Sequence, residues 1–279
     1  MPDYAFRIVN VFAETPLGGN PLAVFEDGRR FDDATMQALA LQFNLSETTF
    51  VMPSTRADAH VRIFTPTFEM PFAGHPTLGT AHVVRALTGE GDSVTLEMKA
   101  GVIPVTAQGD VWTLTANAPK HRAATASRAE LAAMLSLDEG DLADAPPLWI
   151  DTGSEQLVIA LASVDAVKRA APRADLMLQY GSNGERAMAY VFAREGNHVT
   201  CRFFFPKHGA VVEDPGTGSA CANLGGWLLA TGAALPQRLT LDQGAAVGRV
   251  CRLGLAVDAD RTIRVSGRVI ELGRGTLAF

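Results

Sequence analysis

The chain repeats itself at half its own length, and that constrains its architecture more than any other feature. Arg62 and Arg202, Phe64 and Phe204, Pro66 and Pro206, and Thr77 and Thr217 each stand 140 positions apart in a chain of 279 residues. Thr49-Phe50-Val51 falls on Ala189-Tyr190-Val191 at the same interval, so a gap-free register extends over about 30 residues. A duplicated unit is the economical explanation. The length suits two domains of roughly 140 residues. Hydrophobic residues make up 47% of the chain, enough for a core in each half.

Local patterns repeat as well. Alternating β-branched and aromatic residues at 60–64 and 198–204 read as strands, each followed by a Gly-containing turn and a helix. Pro76 suits a first helical turn, and that helix is expected to end near Gly89. Its counterpart starts near Thr217, carries Leu224 and Leu228 on one face and stops at Gly232. Asp32 reads as an N-cap before Met36, Leu39, Ala40 and Phe43, with Asn44 as the stop. Ser127 and Glu130 form a capping-box pattern. Residues 157–161 read as a buried strand, and residues 263–279 as strands joined by Gly-rich turns. The polar, Ala-rich stretch 117–127 is the boundary, giving halves at 1–118 and 127–279, with the last strand free to pack on the first half. Hairpins and meanders in place of a βαβα rhythm put the chain in the α+β class.

Composition excludes several functions. The formal net charge is −6 and no basic stripe is present, which argues against nucleic acid or an anionic membrane as partner. No run approaches the length of a spanning helix. The opening MPDYAFRIVN lacks the basic segment and apolar run of a secretory signal. Cys201, Cys221 and Cys251 are odd in number and lack a CxxC spacing, so reduced thiols and a cytoplasmic location are expected. Phosphate-binding glycine motifs, HExxH and GxSxG are absent, and His75 and His82 are seven apart, so no metal is expected. None of the four lysines sits in the Gly-rich turns, which disfavours a Schiff-base cofactor.

Duplication equalises scaffolding, so unequal matched positions are candidates for chemistry. In the 140-residue register Glu47 faces Ala187, Gly74-His75 face Asp214-Pro215, and Gly79 faces Ser219. Taken singly, Glu47 reads as a solvent-facing strand residue, His75 as a cap, Asp214 as a turn former and Ser219 as a first-turn residue. Grouped at two matched turns they read equally well as a site. A pseudo-twofold arrangement would point both helix N-termini into a shared cleft suited to a carboxylate or enolate oxygen.

Four segments occur in order: VFAETPLGGNPLAVF from Val11, NLSETTFV from Asn44, RIFTPTFEMPFAGHPTLGTAHV from Arg62 and RFFFPKHGAVVEDPGTGSA from Arg202. In these the chain resembles the PhzF family of phenazine-biosynthesis-like isomerases, along nearly its whole length. The resemblance implies two pseudo-symmetric domains of the diaminopimelate epimerase-like fold, each a curled sheet around a central helix. It implies a cofactor-free isomerase and a homodimer. It also implies Glu47 as general acid/base, with His75 and Asp214 catalytic, and Ser46, Gly74, Gly218 and Ser219 binding a small carboxylate substrate. An allylic proton shift fits these residues, with Leu45 and Phe50 supplying an apolar surround for Glu47. The related racemases use two cysteines at these turns. Here Ala73 precedes Gly74 and neither turn carries a thiol, which disfavours racemase chemistry. A silent small-molecule-binding protein of the same fold is the other alternative.

Overall fold

Capping residues set the helix limits. The computed structural model describes residues 3–89 and 91–279. In chain order the first stretch carries β1 (Asp3–Val11), β2 (Asn20–Phe25), α1 (Asp33–Phe43), β3 (Glu47–Met52), β4 (Ala59–Phe64) and β5 (Glu69–Met70). It continues with α2 (Gly74–Thr88), β6 (Ser93–Met98), β7 (Gly101–Gln108) and β8 (Val111–Thr115). Then come β9 (Lys120–Ala123), α3 (Arg128–Leu135), β10 (Leu148–Asp151), β11 (Glu155–Ala160), α4 (Val164–Arg169) and α5 (Ala174–Tyr180). The remainder is β12 (Ala189–Glu195), β13 (His198–Lys207), β14 (Ala210–Asp214), α6 (Gly218–Ala230), β15 (Gln237–Gln243), β16 (Cys251–Val257) and β17 (Ile263–Ala278). Asp32 accepts from the Thr35 amide at the start of α1, and Asn44 closes it in the left-handed conformation. Ser127 and Glu130 make the expected capping box, and Gly89 ends α2.

The chain divides into two units, Met1–Thr115 with Ser266–Phe279, and Ala116–Val265. The division falls at Thr115, and the stretch read as a boundary contains β9, which pairs with β10. In the first unit β1 pairs with β2, β2 with β3, β3 with β4, β4 with β6, β6 with β7 and β7 with β8. β17 pairs with both β8 and β1, closing the sheet on itself. α2 runs inside, against β1, β2, β3, β4, β6, β7 and β8. Outside, α1 covers an aromatic cluster of Phe25, Phe31, Phe50 and Phe64, in which the Phe25 and Phe50 rings stack at 4.9 Å. The second unit repeats the order β10, β11, β12, β13, β15, β16 with the same parallel and antiparallel steps. α6 lies against β9, β10, β11 and β16. Trp149, Leu157, Ile159 and Val191 face the core under α3, α4 and α5.

Two expectations are corrected. Residues 263–278 form one continuous strand, with no turns at its glycines. Two of its three glycines sit where aromatic groups crowd the backbone: a Cβ at Gly267 would lie 2.2 Å from Phe12 Cδ1, and one at Gly275 would lie 3.0 Å from Phe6 Cζ. The repeat also shifts register. Phe64 pairs with Glu69, whereas Phe204 pairs with Glu213, so the second hairpin is four residues longer. Both hairpins carry the same ion pair: Arg62 Nε to Glu69 at 2.7 Å and Arg202 Nη2 to Glu213 at 2.6 Å. Each guanidinium lies over the phenylalanine two residues on. Beyond the hairpins Ala73, Gly74 and His75 therefore match Thr217, Gly218 and Ser219, and Gly79 matches Asn223. On the paired strands Glu47 matches Met188 rather than Ala187.

Gly267→Ala should cost about 1–3 kcal/mol through overpacking against Phe12. A lowered urea midpoint with an unchanged slope checks this; an unchanged midpoint contradicts it.

Candidate functional site

In the first unit, α1 ends at Asn44, and Ser46 leads directly into Glu47, the first residue of β3. Strand alternation decides which way Glu47 faces. Thr49, two residues on, meets Thr80 of α2 with hydroxyl oxygens 2.8 Å apart, so that face looks inward to the helix. Glu47 shares it, and its Oε2 lies 3.1 Å from Nδ1 of His75 in the first turn of α2. Their side chains are 15% and 6% exposed. Phe50 has the opposite parity and belongs to the aromatic cluster under α1, so it does not supply the apolar surround expected for Glu47.

Both central helices begin without a side-chain cap. Asp32, Ser127 and Ser163 cap α1, α3 and α4 with hydrogen bonds, whereas Ala73 and Thr217 provide none. The first-turn amides at Gly74 and Gly218 are thus left for other acceptors.

In the second unit, Asp214 ends β14 and its carboxylate accepts a short hydrogen bond from the Thr217 hydroxyl. Gln243 of β15 clamps this turn. Its Nε2 donates to the Asp214 carbonyl at 2.8 Å and to Thr217 Oγ1 at 3.0 Å, while its Oε1 accepts from the Thr217 amide at 3.2 Å. The next residue, Gly244, has φ +80, and a Cβ there would lie 2.4 Å from the Pro215 carbonyl oxygen. Ser219 accepts a 2.9 Å hydrogen bond from Gln156 of β11. Sequence reasoning missed Gln243 and Gln156. Both come from distant strands, and the one local signal is the glycine after Gln243.

Glu47 and His75 are brought together within the first unit, while Asp214, Gly218 and Ser219 occupy one turn of the second. His82 is no partner for His75 in metal binding: its Nδ1 accepts from Trp112 Nε1 at 3.4 Å, and burial lowers its pKa. Among the described residues no group of three His, Cys, Asp or Glu side chains is arranged to hold a metal ion. The three cysteines are free and buried. Burial pushes the Cys201 thiol up to about 12 and raises those of Cys221 and Cys251 as well. A thiolate base is the opposite of what these surroundings favour. The N-cap positions Ala73 and Thr217 carry no thiol either.

A curled sheet around a helix in each of two matched units, with a carboxylate–imidazole pair at one helix start, defines an epimerase-like isomerase scaffold. The phenazine biosynthesis-like (PhzC-PhzF) family model matches residues 9–275, and the chain belongs to that family of isomerases. It is 41% identical to an uncharacterized isomerase of Pasteurella multocida, over 98% of this chain and 94% of that one. It is 35% identical to the trans-2,3-dihydro-3-hydroxyanthranilate isomerase of Pseudomonas fluorescens, over 98% and 99% of the two chains. The crystal structure of a PhzF-family protein from Bacillus anthracis shares the fold with a TM-score of 0.89 at 24% identity, covering both chains in full. No helix among the described residues is long and apolar enough to cross a membrane.

Cys221→Ala should retain isomerase turnover, losing about 1 kcal/mol of stability from a small packing defect. The folded wild type should resist iodoacetamide. Complete loss of turnover in a stable Ala variant would restore a thiol mechanism.

Proposed function

We propose that the protein isomerises a small unsaturated or cyclic carboxylate by moving one proton between two carbons, with Glu47 as general acid/base. The Glu47–His75 pair carries this reading, with the two side chains 3.1 Å apart and largely buried beside a helix start that has no side-chain cap. Glu47 as carboxylate takes a proton from an acidic carbon. The electron pair moves into the conjugated system as an enolate-like anion, and protonated Glu47 returns the proton to the far carbon. Nothing is oxidised or reduced, and no group leaves. The imidazole of His75 orients Glu47 and shares its proton. First-turn amides suit the developing negative charge. Asp214 is assigned the second acid/base role, and Ser46, Gly74, Gly218 and Ser219 the binding of the substrate carboxylate.

The Pseudomonas relative makes trans-2,3-dihydro-3-hydroxyanthranilate the first substrate to test. Glu47→Gln should fold normally and lose ~10²-fold or more in turnover, because an amide cannot accept the proton. Wild type in D2O should form product, with deuterium at the new carbon only to the extent that protonated Glu47 exchanges with solvent before it returns the proton. Binding without turnover would mean a silent binding protein, and an active Gln variant would remove Glu47 from the role. The family resemblance also supports a homodimer, and the three free cysteines a cytoplasmic location. Sedimentation equilibrium at micromolar concentration should give twice the chain mass, and a single chain mass would contradict it.

A further inference from the structure

The two central helices are seated by chemically opposite devices. In the first unit Gly79 of α2 packs on Leu22 of β2, where a Cβ would come within 2.6 Å of Leu22 Cδ2 and within 2.9 Å of Val11. The matched positions in the second unit are Asn223 of α6, Gln156 of β11 and Thr152, at the end of β10. These three polar side chains are 0%, 2% and 5% exposed. At Gly79 the seat of α2 is apolar, and a buried polar network adds little net stability over such a seat. The second unit's polar seat therefore calls for another explanation.

Its hydrogen bonds have one possible direction. The Thr152 amide can only donate, and it meets Asn223 Oδ1 at 3.0 Å, joined there by the Thr152 hydroxyl at 2.7 Å. The Ser154 carbonyl can only accept, and it meets Asn223 Nδ2 at 2.9 Å. Two backbone groups thus fix the Asn223 amide. Its Nδ2 also donates to Gln156 Oε1 at 2.9 Å. Gln156 must then turn its Nε2 outward, where it donates to Ser219 Oγ. Among the described residues Gln156 is the partner of this hydroxyl, and it uses the oxygen as acceptor. The hydroxyl proton is left to point elsewhere.

We propose that Thr152, Asn223 and Gln156 form a positioning relay that commits the Ser219 hydroxyl to donating, so that the group it receives is a substrate carboxylate oxygen. The inference rests on the assignment of Ser219 to substrate binding. It adds residues that touch no substrate and sets the polarity of the one that does.

Neutron diffraction from deuterated crystals tests the relay without any ligand. Deuterons on Gln156 Nε2 should point at Ser219, and the Ser219 deuteron should point away from Gln156. A Gln156 oxygen facing Ser219 overturns the relay. A second arm measures binding of 3-hydroxyanthranilate and of 2-aminophenol, which is the same ring without the carboxylate. Ser219→Ala should weaken the first about ten- to hundredfold, as expected for a hydrogen bond to a charged group, and leave the second unchanged. Gln156→Glu, which reverses the bond to Ser219, should cause a similar loss that is absent in the Ser219→Ala background. Additive losses, or equal losses for both probes, overturn the proposal. With substrate, both variants should raise KM more than they lower kcat. Binding of substrate without turnover defeats the isomerase reading and leaves the relay standing, so the two failures are distinct.

Discussion

Each unit depends on a helix that is buried on nearly every side. Ten of the fifteen residues of α2 and eleven of the thirteen of α6 are buried. A helix with no solvent face needs partners all round, and in the first unit the sheet closes through β17 to provide them. Residues that would be neutral on an amphipathic helix become strict requirements here. Gly79 leaves room for Leu22, and Gly225 and Gly226 admit Ile263 and Ile150 to within 2.8 and 2.6 Å of where a Cβ would stand. Burial of the helix body also leaves its N-terminus as the place where backbone donors meet a ligand.

Duplication supplied the frame twice, and divergence left its mark at the helix starts. The Arg–Phe–Glu strut of the β4–β5 hairpin recurs in β13–β14 with the same contacts, because it braces the segment that enters each helix. Past the strut the halves differ. One helix begins with His75 beside Glu47, the other with Ser219 backed by buried amides. A symmetric scaffold carries an asymmetric set of acids, bases and donors, which suits a reaction whose two carbons are not equivalent.

Electrostatics sort the nucleophilic side chains. All three thiols are raised by desolvation, which disfavours a thiolate, and neither central helix start carries a cysteine. Of the buried polar residues, the four in the second unit have fixed hydrogen-bond directions: Thr152, Gln156, Asn223 and Gln243. Each is tied to backbone or to another amide, so it holds its orientation at little cost.

Much of this was legible in the chain itself. Caps at Asp32 and Ser127, the stop at Gly89 and the alternating strands are local, since neighbouring residues settle them through backbone geometry. The duplication was visible as matched Arg, Phe, Pro and Thr residues, and the motifs around Glu47, His75 and Asp214 sufficed for the family. Tertiary structure alone decided the rest. The four extra residues of the second hairpin shifted the matched positions, because register is set by which residues pair across strands and not by counting along the chain. Gly267 and Gly275 of β17 proved to be sites of aromatic contact rather than turns, because Phe12 and Phe6 reach them from more than 250 residues away along the chain. Gln156 and Gln243 carried no local signal. A buried amide is recognised by its partners, and those partners meet only when distant strands are brought beside one helix start.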